Sequence, residues 1–286
     1  MARMKNTDAS WTCPNCRMLV STPFCPQCGE RPLLPVDLRL RSLLAKLLHV
    51  ATSIDGRLLR TLWQLLRYPG KLTGAFVSGQ RKPYIAPFQL FLLANVLFFA
   101  TQSLTGTNIF GASLDSQLHQ QDWSELARLL VDQRVVEAGS SIAAYAPVFD
   151  RAVVVNAKSL IILMAMPFAG MCALAFFGER KPFIAHVAFS LHLYTLLLLL
   201  FSVAIAGVAA AQGFGAPGLA DPHVDNVISS LLLVAFAVYL YIAASRYFSS
   251  RGIGHAIKVM VLTVCAAGLV LGYRFALFLI TLYATT

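Results

Sequence analysis

Five apolar stretches, roughly residues 87–104, 159–177, 186–211, 227–245 and 258–283, constrain this chain more than anything else in it. Each has about the 17–25 residues that a helix rising 1.5 Å per residue needs to cross about 30 Å of hydrocarbon. A water-soluble fold has no interior large enough for all of them. Hydrophobic residues make up 57% of the chain, only 13% is charged and the mean hydropathy is +0.67, whereas soluble domains carry about 25% charged residues. The pattern predicts an all-α membrane protein built on a five-transmembrane-helix bundle over residues 87–286, with an external loop at 105–158.

The formal charge of +10 is a topology signal rather than a nucleic-acid signal. Thirteen of the 23 Lys and Arg lie in residues 1–86, against four acids. The 105–158 loop carries four basic residues and six acids, the next loop carries Arg180 and Lys181, the next has none, and the last has Arg246 and Arg251. Rich and poor loops alternate, so the amino terminus is expected in the cytoplasm and the carboxyl terminus outside. No apolar core of a cleavable signal is visible near the amino terminus, and the first span is expected to serve as its own insertion signal.

Residues 1–35 form a separate unit. Cys13-Pro-Asn-Cys16 and Cys25-Pro-Gln-Cys28-Gly29 are two Cys-x-x-Cys knuckles eight residues apart. Each pair supplies two thiolates to one side of a metal, and together they complete the tetrahedral shell of a structural Zn2+. A four-cysteine shell leaves no coordination position for a substrate, which excludes direct catalysis by that metal. A cytoplasmic location keeps such thiols reduced. Cys172 and Cys265 fall inside spans and read as packing residues.

Residues 36–86 are basic and amphipathic. Leu40, Leu43, Leu44, Leu47 and Leu48 share one helical face; after Asp55-Gly56 the pattern restarts, with Leu58, Leu62, Leu65 and Leu66 opposite Arg57, Arg60, Gln64 and Arg67, and Pro69-Gly70 ends it. Such helices either lie in an anionic membrane interface or pack on the ends of the bundle, and both readings stay open. In the external loop, Asp122-Trp123-Ser124-Glu125 reads as a capping box opening a helix with Leu126, Leu129, Leu130 and Val136 on its apolar side. Arg81-Lys82-Pro83-Tyr84-Ile85-Ala86 recurs as Arg180-Lys181-Pro182-Phe183-Ile184-Ala185, 99 residues later. The echo suggests a duplicated helix entrance whose Arg81, Lys82, Arg180 and Lys181 contact anionic lipid.

Polar groups inside the spans are the remaining candidates for chemistry. His186 and His192 lie near the start of span three, with Asn95 at a depth from which it could bond His192; the three outline a cytoplasm-facing polar pocket. Arg274 and Lys158 sit towards the outer side, where snorkelling to lipid phosphate competes with a buried role. No His-Glu-x-x-His, Gly-x-Ser-x-Gly or phosphate-cradling glycine loop is present, and Asp and Glu are absent from the span interiors. A non-enzymatic scaffold, sensor or assembly factor is therefore the leading reading, ahead of a small transporter or lipid-handling protein and of a membrane enzyme. Membrane lipids, a protein partner for the ribbon and a second copy of the chain are the expected partners; nucleic acid is not.

Several short motifs in order carry a resemblance: the Cys-x-x-Cys pair, Asp55-Gly56-Arg57 with Thr61-Leu62, Arg67-Tyr68-Pro69-Gly70, Gly79-Gln80-Arg81-Lys82-Pro83-Tyr84 with Pro87, Met166-Pro167-Phe168-Ala169, and His186 through His192. By these the chain resembles the bacterial zinc-ribbon membrane family known as domain of unknown function 3667, from Cys13 to about Tyr247. The resemblance implies a multi-pass inner-membrane protein and brings no activity. More loosely, the architecture is similar to that of Yip1-type membrane proteins.

Overall fold

The computed structural model describes residues 10–30, 56–107, 109–137, 139–160, 164–219 and 221–285; the first amphipathic stretch, 38–51, lies outside them. Two short strands, β1 (Trp11–Thr12) and β2 (Leu19–Val20), pair antiparallel in the ribbon. Ten helices follow among the described residues: α1 (Gly56–Arg67), α2 (Lys71–Val77), α3 (Pro87–Thr105), α4 (Leu114–His119), α5 (Ser124–Glu137), α6 (Ile142–Leu160), α7 (Ala165–Ala175), α8 (Phe183–Gln212), α9 (Pro222–Phe248) and α10 (Ile253–Ala284).

Among the described residues, four helices are long and apolar enough to cross a membrane: α3, α8, α9 from His223, and α10. The chain is a multi-pass membrane protein. Of the second expected span, the described residues show the end of α6, to Leu160, and α7, Ala165–Ala175, about 16 Å of rise; residues 161–163 between them lie outside the described residues.

Helices α3 and α8 lie side by side, α7 packs against α8 and α10, and α9 joins α8 and α10. Their core is aromatic. Phe98 meets Phe110 and Phe201, and Phe110 meets Tyr273, with ring centroids 5.5–6.1 Å apart. Tyr273 also donates its hydroxyl hydrogen bond to the Ala157 carbonyl (2.8 Å), fixing α10 to α6. By contrast, α9 and α10 leave Leu231, Val234, Val238, Val261 and Val264 exposed, as lipid-facing helices do because the bilayer is as apolar as leucine.

At the far end, α4, α5 and α6 form a cap with its own core of Leu114, Val131, Tyr145, Phe149 and Val153 around Phe278 and Leu282 of α10. The apolar side expected for α5 is not the one buried. Ala127, Val131 and Val135 face the cap core, while Leu126, Leu129 and Val136 are exposed. The helix carries two apolar stripes, and the slimmer one fits against α4 and α6.

At the other end, α1 and α2 form a hairpin against the bundle rather than a separate layer. Gly70 makes the turn in the left-handed region at φ 82°, and a Cβ there would lie 2.6 Å from the Ala243 carbonyl oxygen of α9. Tyr239 of α9 donates to the Leu65 carbonyl (2.8 Å). Ala243, which the turn meets, lies five residues, about 7 Å, from the end of α9, and Tyr239, which holds α1, lies nine residues, about 13 Å, from it. The expected face of α1 is the one that packs, with Leu65 buried and Leu58 and Leu62 against the same core; Leu66 is exposed, and Thr61 and Gln64 are buried beside Leu65.

Candidate metal centre and the helix threshold

The four ribbon cysteines converge: their Sγ atoms all lie within 4.8 Å of one another. Cys13 Sγ is 3.4 Å from Cys28 Sγ, and Cys16 Sγ is 3.4 Å from Cys25 Sγ. Sulfurs at the corners of a tetrahedron with metal–sulfur bonds of about 2.3 Å stand about 3.8 Å apart, and disulfide sulfurs only about 2.0 Å apart. The cluster is therefore arranged as a cage that could hold one metal ion, and not as a pair of disulfides. Turn geometry creates it. Arg17 N–H donates to the Cys13 carbonyl and Gly29 N–H to the Cys25 carbonyl, at 2.8 and 2.7 Å. The residue after each knuckle is left-handed, Arg17 at φ 62° and Gly29 at φ 65°. Glycine adopts that conformation without cost and arginine does not.

Electrostatics point the same way. Desolvation resists ionisation of Cys28, but hydrogen bonds from the Glu30 backbone, Asn15, Cys13 and Cys25 outweigh it and lower its pKa to about 6. For Cys16 the Met18 backbone favours the thiolate, but desolvation and the three other sulfurs prevail and push it up to about 12. Four thiolates cannot share so small a volume without a cation, and a divalent ion removes that conflict.

The ribbon is clamped to the loop that precedes α3. Lys82 donates its backbone N–H to the Glu30 carboxylate (3.2 Å) and its ammonium to the Cys28 carbonyl. Glu30 itself is buried. The same loop holds α1: Arg57 Nη2 donates to the carbonyls of Arg81 (3.2 Å) and Tyr84 (3.0 Å). Thr61 accepts the Ile85 N–H at 3.1 Å while donating to the Arg57 carbonyl at 2.6 Å. Lys82, expected at the lipid surface, thus joins the metal knuckle to the membrane domain. The repeated threshold is built differently. Pro182 is the cap of α8, which begins at once with Phe183, whereas α3 waits until Pro87, so only the first copy is an extended loop that can be gripped. In the second copy Arg180 and Lys181 are exposed, and the Lys181 ammonium stands 5.6 Å from the Tyr247 ring centre.

The two histidines face different neighbours. His192 Nδ1 is hydrogen-bonded to Thr73 Oγ1 of α2 at 2.9 Å, a partner the sequence did not point to. His186 stacks on Phe248 with centroids 5.3 Å apart, and Phe248 stacks in turn on Phe176 at 4.1 Å, tying α7, α8 and α9 together. Asn95 is buried in α3. Arg274 is partly buried, with the carboxylates of Asp225 and Asp122 as its opposing charges. Lys158 falls in the last turn of α6. Sequence reasoning missed Glu30 and Thr73; an acid directly after the Cys28-Gly29 end of a knuckle was the available signal for the first.

Neither the curated proteins nor the solved structures contain a match to this chain. Residues 55–99 match the family model described as "Protein of unknown function (DUF3667)", and this stretch is the unit made by α1, α2, the gripped loop and most of α3.

Proposed function

We propose that the chain is a non-enzymatic scaffold or assembly protein of the bacterial inner membrane, whose zinc-ribbon head is mechanically joined to its helix bundle. One observation carries this reading: the ribbon's second knuckle and Glu30 hold Lys82, in a loop that also fixes α1 through Arg57 and Thr61. Zinc suits the four-thiolate cage because it prefers a tetrahedral sulfur shell and has no redox chemistry of its own. The exposed Leu59, Trp63 and Leu66 of α1, flanked by Arg60 and Arg67, favour contact with the anionic cytoplasmic leaflet. Arg180 and Lys181 extend the same basic rim. The end of α6 with α7 makes a fifth crossing, and the excess of Lys and Arg on the ribbon side puts the ribbon in the cytoplasm and the cap in the periplasm.

Hydrogen exchange on the purified full-length protein tests the joint. Chelating the zinc should accelerate exchange at residues 79–86 and in α1, because the Lys82 N–H loses Glu30. Lys82→Met, which keeps the backbone donor and removes the ammonium's bond to the Cys28 carbonyl, should accelerate exchange at 79–86 to a smaller extent while one zinc per chain is retained. Unchanged exchange on chelation refutes the coupling. For topology, a Ser140→Cys variant should label from the periplasm and Arg251→Cys only after permeabilisation; the reverse result refutes the orientation.

A further inference from the structure

At the end of α3 farthest from the ribbon, a cavity of about 220 Å³ is lined by Phe99, Gln102, Ser103, Gly106, Gly111, Val154 and Ala157. Gln102 is 4% exposed and its Nε2 has no hydrogen-bond partner. We propose that this cavity receives the acyl-ester group of a membrane glycerophospholipid, with Gln102 Nε2 donating to the ester carbonyl.

Four observations converge on that ligand. A buried amide donor without an acceptor is costly, so the site lacks an acceptor group. None of the lining residues is ionisable, which disfavours an anionic head group or a free fatty acid inside it and leaves a neutral acceptor. Gln102 stands 15 residues, about 22 Å, along a helix of 19 residues, and so lies close to the edge of a hydrocarbon layer about 30 Å thick, where lipid ester groups sit. The mouth opens to the outside of the helix pack: Ser103 and Gly106 are exposed, and Leu104 beside them, a side chain suited to lipid, is 87% exposed. With about 30 Å³ per water-sized group, the volume suits an ester and its first methylenes while the chain continues along Phe99 and Val154. This inference concerns the opposite end of the molecule from the ribbon and does not rest on the scaffold reading.

The test uses full-length protein in nanodiscs containing a diazirine-bearing phospholipid, with adducts mapped by mass spectrometry. The exposed stretch 231–238 of α9 reports ordinary surrounding lipid. With the ester-linked probe, adducts at 99–111 and 154–157 should exceed those on α9 by about fivefold, the ratio that one hydrogen bond worth about 1 kcal/mol gives. An ether-linked probe, which lacks the carbonyl, should show no such excess. Gln102→Met, which keeps the volume and removes the donor, should abolish the excess, and Ser103→Trp should do so by blocking the mouth. Equal labelling of cavity and α9, equal labelling by the ether probe, or an excess that survives Gln102→Met would each overturn the proposal.

Discussion

Replacing Gly70 with alanine should damage the hairpin far more than its single added methyl suggests, and the same change one turn later should not. Two costs add at Gly70. The left-handed backbone at φ 82° costs an alanine about 1–2 kcal/mol. The new Cβ would also stand 2.6 Å from the Ala243 carbonyl oxygen and 3.3 Å from its Cα. Those are backbone atoms of a packed helix and cannot swing aside, so overpacking adds about 1–3 kcal/mol. Reduced freedom of the unfolded chain returns about 0.4–1 kcal/mol, leaving a net loss of about 1–5 kcal/mol. Gly74 lies within α2, and its Cβ would meet only Tyr247 at 4.0 Å. Gly74→Ala should therefore stabilise the helix by up to about 1 kcal/mol. Thermal unfolding in detergent, followed by Trp63 fluorescence, should show Gly70→Ala several degrees below the native chain and Gly74→Ala at or above it. If both variants fall equally, or if Gly70→Ala unfolds with the native chain, the seating of the turn against α9 is wrong.

Three further outcomes follow from the same structure. Thr73→Val should cost about 1 kcal/mol by leaving the buried His192 Nδ1 without a partner, and a double-mutant cycle with His192→Leu in detergent unfolding should show the two changes to be non-additive. Arg17→Gly should relieve the left-handed strain at the first knuckle and raise zinc affinity about fivefold in chelator competition, equivalent to about 1 kcal/mol; unchanged affinity would place the strain elsewhere. Phe248→Ala, which removes the ring between His186 and Phe176, should lower the unfolding midpoint by the equivalent of about 3–5 kcal/mol while zinc content stays at one per chain.

The membrane class and the cysteine cage were legible because each rests on a strong local signal: uninterrupted apolar length in one case, four thiols at fixed spacing in the other. Positions set by tertiary contacts were not. Gln64 looks like a surface residue by helical periodicity, yet it is buried beside Thr61 and Leu65, which bond to Ile85 and to Tyr239 of α9. The two stripes of α5 are equally apolar in sequence, and only the shape of the cap core selects Ala127, Val131 and Val135. One proline did carry information that hydropathy hid: Pro87 delays α3 so that an otherwise repeated motif becomes a loop. The partnership of Lys82 with Glu30 spans 52 residues, beyond the reach of any periodic pattern.

The length of α10 bears on how the molecule is made. Its 32 residues rise about 48 Å, well beyond the bilayer core, and the surplus becomes the post around which the cap closes. The Tyr145 hydroxyl meets that of Thr285 at 2.6 Å across 140 residues of sequence. At about 5–20 residues per second, a ribosome needs roughly 7–30 s to travel that distance. Throughout that interval the cap helices have left the ribosome without the element that completes their core. Newborn chains thus pass through a window in which residues 114–153 are open to proteases and holding chaperones, and the window closes only when the final helix arrives.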